Sequence, residues 1–139
     1  MMVMHIITFY SYPLVPTMPP SNVSSYDTYG TRIMVKWLSI PEQHHKGILL
    51  GYKIYYQEYN ETGPVWPMQS INTEGLVQRF ELRDLNFTSN YSIQVGGLTS
   101  IGVGNISEPI FGMSGMYGTF YYHYKKFIIF DYFNWLYEL

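Results

Sequence analysis

The chain has 139 residues, of which 47% are hydrophobic and 13% charged, and its formal net charge is −2 at pH 7. This length suits one domain of about 100 residues with additional segments. The weak net charge provides no basic footprint for nucleic acid or anionic lipid, so we expect neither as a partner. The sequence contains no cysteine, which excludes a disulfide framework and leaves the redox compartment open.

The first 15 residues are apolar and contain no Lys or Arg. Their length suits a short secretory signal, but a basic start and a small-residue cleavage pattern before Pro13 are both missing. Two interpretations stay open, a degenerate signal peptide and a gene-model start inside a longer protein. Pro16, Pro19 and Pro20 then produce a stiff extended segment, so we place the domain boundary after Val15.

Short segments in which apolar and polar residues alternate follow from residue 22 to residue 57. Because successive side chains of a strand point to opposite faces, this period of two predicts half-buried strands. Predicted strands A, B and C cover residues 22–26, 32–37 and 51–57. Their inward-facing residues include Trp37, Tyr52 and Ile54, which we expect in the core.

The loop between strands B and C contains the adjacent histidines His44 and His45. Neighbouring side chains of an extended loop diverge, and no Cys or nearby Asp accompanies them, so we predict exposed loop histidines and no metal site. Farther along, Trp66 suggests a short strand C′. Trp66 and Tyr55 together suggest an exposed aromatic binding patch, and the alternative is that both only cover their own sheet.

The stretch after predicted strand E (78–82) reads as a turn followed by the long strand F. Tyr91, Ile93 and Val95 alternate with polar residues or glycine, so they share the buried face of this strand. Leu85 lies six residues before Tyr91. This is the spacing of a tyrosine corner, in which the hydroxyl of Tyr91 bonds to backbone of the preceding turn.

Strand G is predicted after a glycine loop. Gly102 and Gly104 allow the chain to reverse, and the segment from Ser107 to Pro109 is typical of an edge strand, where proline removes no needed hydrogen bond. No helical period competes with the alternation. The pattern therefore predicts an all-β domain.

At these residues the chain closely resembles a fibronectin type III domain, from Pro16 to Phe111. The residues that carry the resemblance occur in the expected order: Trp37, Tyr52, Leu85, Tyr91, Gly102, Ser107, Glu108 and Pro109. The resemblance implies a seven-stranded antiparallel immunoglobulin-like β-sandwich, with strands A, B and E in one sheet and C′, C, F and G in the other. The stretch from Gly47 to Tyr56 looks most like repeats of receptor-type tyrosine phosphatases, sidekick-like proteins and other cell-adhesion receptors. We accordingly divide the chain into residues 1–15, the domain 16–112 and a tail 113–139.

Five of the seven asparagines lie in the glycosylation signal Asn-x-Ser/Thr. They are Asn22, Asn60, Asn86, Asn90 and Asn105. Asn, Ser and Thr also gather in turns for conformational reasons, which is the alternative explanation. The excess of signals nevertheless favours the secretory pathway.

The predicted tail contains 11 of the 26 aromatic residues, between Tyr117 and Tyr137, without a strand or helix period. Lys125, Lys126 and Asp131 leave too short an apolar run to match the ~20 residues of a membrane-spanning helix. An interfacial helix is a second reading. A third, read-through of AT-rich non-coding sequence, explains the abundance of Phe, Tyr, Ile, Lys and Asn together.

Motifs for a nucleophile, a phosphate-binding loop or a catalytic triad do not occur, so we expect no enzymatic activity, no cofactor and no small-molecule substrate. The favoured function is an extracellular protein-interaction and spacer module of a cell-surface adhesion or receptor protein, with other protein domains as partners. A membrane would be involved only through a missing or degenerate anchor. The alternatives are an accessory module of a secreted carbohydrate-active enzyme and a cytokine-receptor-type ligand-binding domain. The second is disfavoured because this sequence contains no Trp-Ser-x-Trp-Ser motif before strand G.

Overall fold

The computed structural model describes residues 14–115, without the side chains of residues 27–29. In this part of the chain nine β-strands and a single 3-10 turn, Glu42–His44, make up the regular structure. The strands are β1 (Ser21–Tyr29), β2 (Arg32–Leu38), β3 (Gly51–Asn60), β4 (Gly63–Pro64), β5 (Gln69–Asn72), β6 (Arg79–Leu82), β7 (Asn90–Leu98), β8 (Val103–Ile106) and β9 (Ile110–Met113).

The strands form two antiparallel sheets. One sheet has the order β1-β2-β6, and the other has the order β4-β3-β7-β8, with β5 also paired to β3 and β9 also paired to β7. The predicted all-β sandwich is confirmed. All seven predicted strands are represented, because β4 with β5 stands for C′, and β8 with β9 stands for G.

The core lies between the two sheets and is built from the inward side chains of three central strands. Ile33, Val35 and Trp37 of β2 face β3 and β7, and burial of each such side chain contributes about 1.5–3 kcal/mol. The Trp37 and Tyr52 rings meet edge to face, with centroids 5.2 Å apart. The residues expected in the core from the sequence are all buried: Trp37, Tyr52, Ile54, Leu85, Tyr91, Ile93 and Val95.

Strand G differs from the prediction because it is broken in the middle. The segment from Ser107 to Pro109 is not an edge strand but separates β8 from β9. The cause is Ser107, whose side-chain hydroxyl accepts the Val95 backbone N–H at 3.0 Å, while its own N–H donates to the Val95 carbonyl at 2.9 Å. A side chain thus takes the place of a ladder carbonyl, and the strand shifts register at this point.

Strand C′ is also displaced from its predicted position. Trp66 lies in the loop between β4 and β5, and the pairing with β3 is made by Gln69–Asn72 instead. Gly104 belongs to β8 rather than to the reversing loop. A Cβ on Gly104 would lie 2.1 Å from the Pro16 carbonyl oxygen, so the glycine permits close approach of the N-terminal segment.

Both predicted domain boundaries fall next to ordered structure. Before β1, the Leu14 N–H donates to the Lys46 carbonyl at 2.8 Å, and the Pro16 carbonyl accepts the Asn105 N–H at 3.2 Å. After residue 112, Met113 still belongs to β9 and Ser114 is fully buried. The predicted end of the domain therefore lies inside β9, and of the predicted tail 113–139 only residues 113–115 are among the described residues.

The loops gather at two opposite ends of the sandwich. The proximal end comprises residues 14–17, the loop between β2 and β3, and the loop 99–102, joined by the bonds of Leu14 to Lys46 and to Thr99. The distal end comprises the loop 60–63, the turn 83–89 and Ser114, whose N–H donates to the Ser89 carbonyl. The described chain therefore enters at one end and leaves at the other.

Candidate interaction surface

One side of the sandwich is open because neither sheet pairs any further there. Within residues 14–115, β5 pairs only with β3, and β6 pairs only with β2. The two edges face each other across the upper groove, with a volume of about 570 Å³, lined by Tyr56 and Ile71 on one sheet and by Phe80 and Leu82 on the other. Unpaired edges of this kind accept an added strand from another chain.

The upper groove continues toward the distal end into the lower groove, a cavity of about 260 Å³. Its walls include Glu58, Trp66, Pro67 and Asn86, and Tyr56 lines both grooves. The loop that carries Trp66 is fixed through its backbone, since the Trp66 carbonyl accepts a bond from Gln57 Nε2 at 2.7 Å. The indole itself is 61% exposed.

Exposed apolar side chains occur on the chain segments between β4 and β6. They belong to the loop after β4, to β5 and to the loop before β6, and each is more than a third exposed. These side chains are Val65, Trp66, Met68, Ile71, Leu76 and Val77. Of these, Trp66 lines the lower groove and Ile71 lines the upper groove.

The predicted pairing of Trp66 with Tyr55 in one aromatic patch is not formed. Tyr55 is half-buried on the outer face of β3, where the Lys53 Nζ atom lies 5.4 Å from the centre of its ring. Trp66 instead shares the lower groove with Tyr56. The displacement of strand C′ explains the difference, because Trp66 is placed beyond the β3 ladder rather than on it.

Charge at the upper groove is concentrated at Glu81, which bridges two arginines. Its carboxylate oxygens lie 2.9 Å from Arg32 and 2.6 Å from Arg83. The hydrogen bond from Arg83, with the positive charge of both arginines, lowers the pKa of the Glu81 carboxyl from its usual value. Glu81 therefore stays ionised, and the upper groove carries these ion pairs beside its apolar residues.

The predicted tyrosine corner forms at the distal end. The Tyr91 hydroxyl accepts the Asn86 backbone N–H at 2.8 Å, and the ring packs with Leu85 in the core. Burial raises the pKa of the Tyr91 phenol above its ordinary value of 10.0, although the bond from the Asn86 N–H acts in the opposite direction, and the nearby negative charge of Glu58 raises it further. The corner fixes the turn that forms one wall of the lower groove.

Ser114 completes this corner, and sequence reasoning missed it. Its hydroxyl donates to the Asn86 carbonyl at 2.5 Å and accepts the Ser89 N–H at 3.1 Å. The available signal was the period of two, since Ile110, Gly112 and Ser114 continue the inward face of strand G past the predicted boundary.

All five asparagines of the glycosylation signals are exposed. Asn22 lies on β1 near the proximal end, and Asn105 on β8 donates its Nδ2 to the Thr17 carbonyl at 2.8 Å. Asn60, Asn86 and Asn90 lie near the distal end. None of the five lies on β5 or β6, the two strands that border the upper groove.

The comparisons with known proteins agree with this geometry. A family model described as the fibronectin type III domain matches residues 18–113. The chain belongs to the fibronectin type III family. Mouse protein sidekick-2 is 34% identical to it over 96 residues, which cover 68% of the chain and 4% of that protein. The human cell adhesion molecule DSCAM is 34% identical over 97 residues, covering 70% of the chain and 5% of that protein.

A solved structure supports the same fold. The third fibronectin III domain of the human KIAA0343 protein superposes with a TM-score of 0.67 at 21% identity, over 84% of this chain and 97% of that domain. The predicted similarity to repeats of sidekick-like and other adhesion proteins is thus confirmed for this fibronectin type III domain. Because the chain spans only 4–5% of the curated relatives' lengths, the match concerns one repeat of much longer proteins.

The histidines of the fibronectin type III domain differ from their prediction, because both are half-buried rather than exposed. A ring nitrogen of His45, Nε2, lies 2.7 Å from the Ile40 carbonyl oxygen, and the His44 carbonyl accepts the Thr17 N–H. These two contacts stabilise the loop between β2 and β3 at the proximal end. No group of three or more potential metal ligands occurs within residues 14–115.

No helix within the described residues is long and apolar enough to cross a membrane.

Proposed function

We propose that this fibronectin type III domain is a non-catalytic extracellular module that binds other proteins and spaces domains in a cell-surface adhesion or receptor protein. The observation that carries the proposal is the open side of the sandwich, where the edges of β5 and β6 border the upper groove. The five exposed glycosylation signals support the extracellular setting. The spacer role is supported by the entry and exit of the chain at opposite ends.

The partner we propose is an extended segment of another protein that pairs with β5. All four residues of β5 are exposed, so its outer backbone groups are accessible. Main-chain hydrogen bonds to such an edge provide affinity, and side-chain pockets beside it provide specificity. The upper groove next to Ile71 offers a pocket of this kind.

A charge placed on this edge provides the test. Ile71 on β5 is 39% exposed, and Ile106 on β8, at the opposite edge of the same sheet, is 43% exposed. The variants Ile71→Lys and Ile106→Lys therefore make the same chemical change at matched sites on opposite sides. A lysine on an edge strand opposes strand addition.

The measurement is binding of the tetramerised, glycosylated chain to live cells, by flow cytometry, with trypsin-treated cells alongside. We expect Ile71→Lys to reduce binding and Ile106→Lys to leave it unchanged. Equal effects of the two variants would contradict the assignment to the β5 edge. Binding that survives trypsin would contradict a protein partner.

A further inference from the structure

Asn86, one of the five asparagines of the glycosylation signals, is held by hydrogen bonds from both its backbone and its side chain. Its N–H donates to the Tyr91 hydroxyl at 2.8 Å, its carbonyl accepts from the Ser114 hydroxyl at 2.5 Å, and its Nδ2 donates to Glu58 Oε2 at 2.6 Å. Two of these bonds fix the Asn86 backbone, and the bond to Glu58 orients the side chain. A group attached to Nδ2 would therefore begin from a defined position and direction.

That position lies on the wall of the lower groove, which Asn86 shares with Trp66. The volume of about 260 Å³ is slightly below the ~300 Å³ at the lower end of small-molecule pockets, so the groove suits a single sugar ring. Gln57, Gln69 and Asp84 on its walls offer polar atoms to hydroxyl and amide groups.

Trp66 supplies the apolar surface that a sugar ring requires. Its indole is 61% exposed, while its backbone is fixed by the bond from Gln57 Nε2. The face of an aromatic ring carries partial negative charge, which attracts the polarised C–H groups on the flat side of a pyranose. Because the Trp66 backbone is already fixed, stacking of a sugar on its side chain costs little additional conformational entropy.

We propose that the first N-acetylglucosamine of a glycan on Asn86 packs against Trp66 in the lower groove. This inference rests on the proposed extracellular function, since it requires passage through the secretory pathway. Transfer forms a bond from Nδ2 to C1 of the sugar, while the bond from C1 to the diphosphate of the lipid-linked donor breaks and Nδ2 loses one proton. The second Nδ2 hydrogen remains for Glu58, so the bond that orients the side chain is retained.

The variant Thr88→Ala removes the signal without changing Asn86. Thr88 is exposed and contributes no side-chain hydrogen bond within residues 14–115, but its φ of 56° is one that a β-branched residue adopts with strain, so the bacterial pair measures the effect of the substitution itself. The full chain, fused to a cleavable signal sequence, is produced in a secretory host as wild type, Thr88→Ala, Trp66→Ala and the double variant. The same four proteins from bacteria serve as the unglycosylated controls. Peptide mass analysis of secreted and cell-retained protein determines which asparagines carry sugar.

After trimming to one N-acetylglucosamine, we expect the wild type to unfold at a higher urea midpoint than Thr88→Ala. This difference, corrected for the difference between the bacterial wild type and bacterial Thr88→Ala, should disappear when Trp66 is alanine. Acrylamide should quench the Trp66 fluorescence less in the glycosylated wild type than in Thr88→Ala, with no such change in the Trp66→Ala background.

The outcomes separate this inference from the proposed function. If no asparagine carries sugar in protein that has entered the secretory pathway, the support for the proposed extracellular function is lost as well. If other sites are modified and Asn86 is not, the inference is overturned and the proposed function stands. If Asn86 is modified but the midpoint and quenching differences are the same with and without Trp66, the sugar does not pack there and the inference is likewise overturned.

Discussion

Replacing Tyr91 by phenylalanine deletes one oxygen atom, the acceptor of the Asn86 backbone N–H at 2.8 Å. The ring, which is only 5% exposed, can stay in place and open no cavity. The N–H then loses its partner in a partly buried turn, which costs about 1–3 kcal/mol. Tyr91→Ala also removes the ring, and loss of a buried aromatic side chain costs about 3–5 kcal/mol.

Tyr52 provides a matched control in the same core. It is fully buried, and its hydroxyl has no hydrogen-bond partner among the described residues. A buried hydroxyl without a partner has lost its hydration without compensation. Tyr52→Phe makes the same chemical change and should leave the free energy of unfolding unchanged or raise it by about 1 kcal/mol.

Urea unfolding of the wild type and the two phenylalanine variants measures the contrast. Against a total stability of about 5–15 kcal/mol, Tyr91→Phe should lower the midpoint at an unchanged m-value, and Tyr52→Phe should not lower it. No loss in Tyr91→Phe would show that the corner bond contributes nothing to stability. Equal losses in both variants would refute the distinction between a paired and an unpaired hydroxyl.

Three further predictions concern the corner and the N-terminal segment. A chain ending at residue 112 should unfold at lower urea than one ending at residue 115, because only the longer chain keeps the Ser114 bonds; equal midpoints would contradict this. The pKa of Tyr91 is raised in the folded state, so its contribution to the free energy of unfolding is complete below about pH 10 and is lost as pH rises through the folded pKa. Urea midpoints measured between about pH 9 and pH 11 should show this loss in the wild type and not in Tyr91→Phe. Gly104→Ala would place a Cβ 2.1 Å from the Pro16 carbonyl oxygen and should speed amide exchange at Asn105; unchanged exchange would count against the close approach.

The sequence predicts the fold and core well because both follow from short-range alternation. Ile93 and Val95 share a face simply because side chains alternate along β7. The tyrosine corner is equally local, since its two partners, Asn86 and Tyr91, are five residues apart. Spacing within a short stretch is enough to predict such features.

Features that depend on contacts between distant segments of the chain could not be predicted in this way. The break in strand G depends on Ser107 bonding to Val95, 12 residues away, and the close approach of Gly104 to Pro16 joins segments that are far apart in the sequence. The sequence predicts strand C′ at Trp66, yet β5, which follows Trp66 in the chain, forms the edge strand. The grooves combine β3, β5 and the turn before β7, so no single stretch of sequence encodes them.

The positions of Leu14 and Ser114 at opposite ends of the sandwich determine how the domain would carry tension. A pull applied at Leu14 and Ser114 acts along the long axis of the sandwich, parallel to β1 and β9. The ladders of β1 with β2 and of β9 with β7 would then be loaded in shear, so their hydrogen bonds, which lie across the strands, must break together rather than one after another. No disulfide reinforces them, because the chain contains no cysteine. Resistance to stretching would therefore depend on these two short ladders and on the Ser114 hydrogen bonds, which attach the end of β9 to the turn before β7.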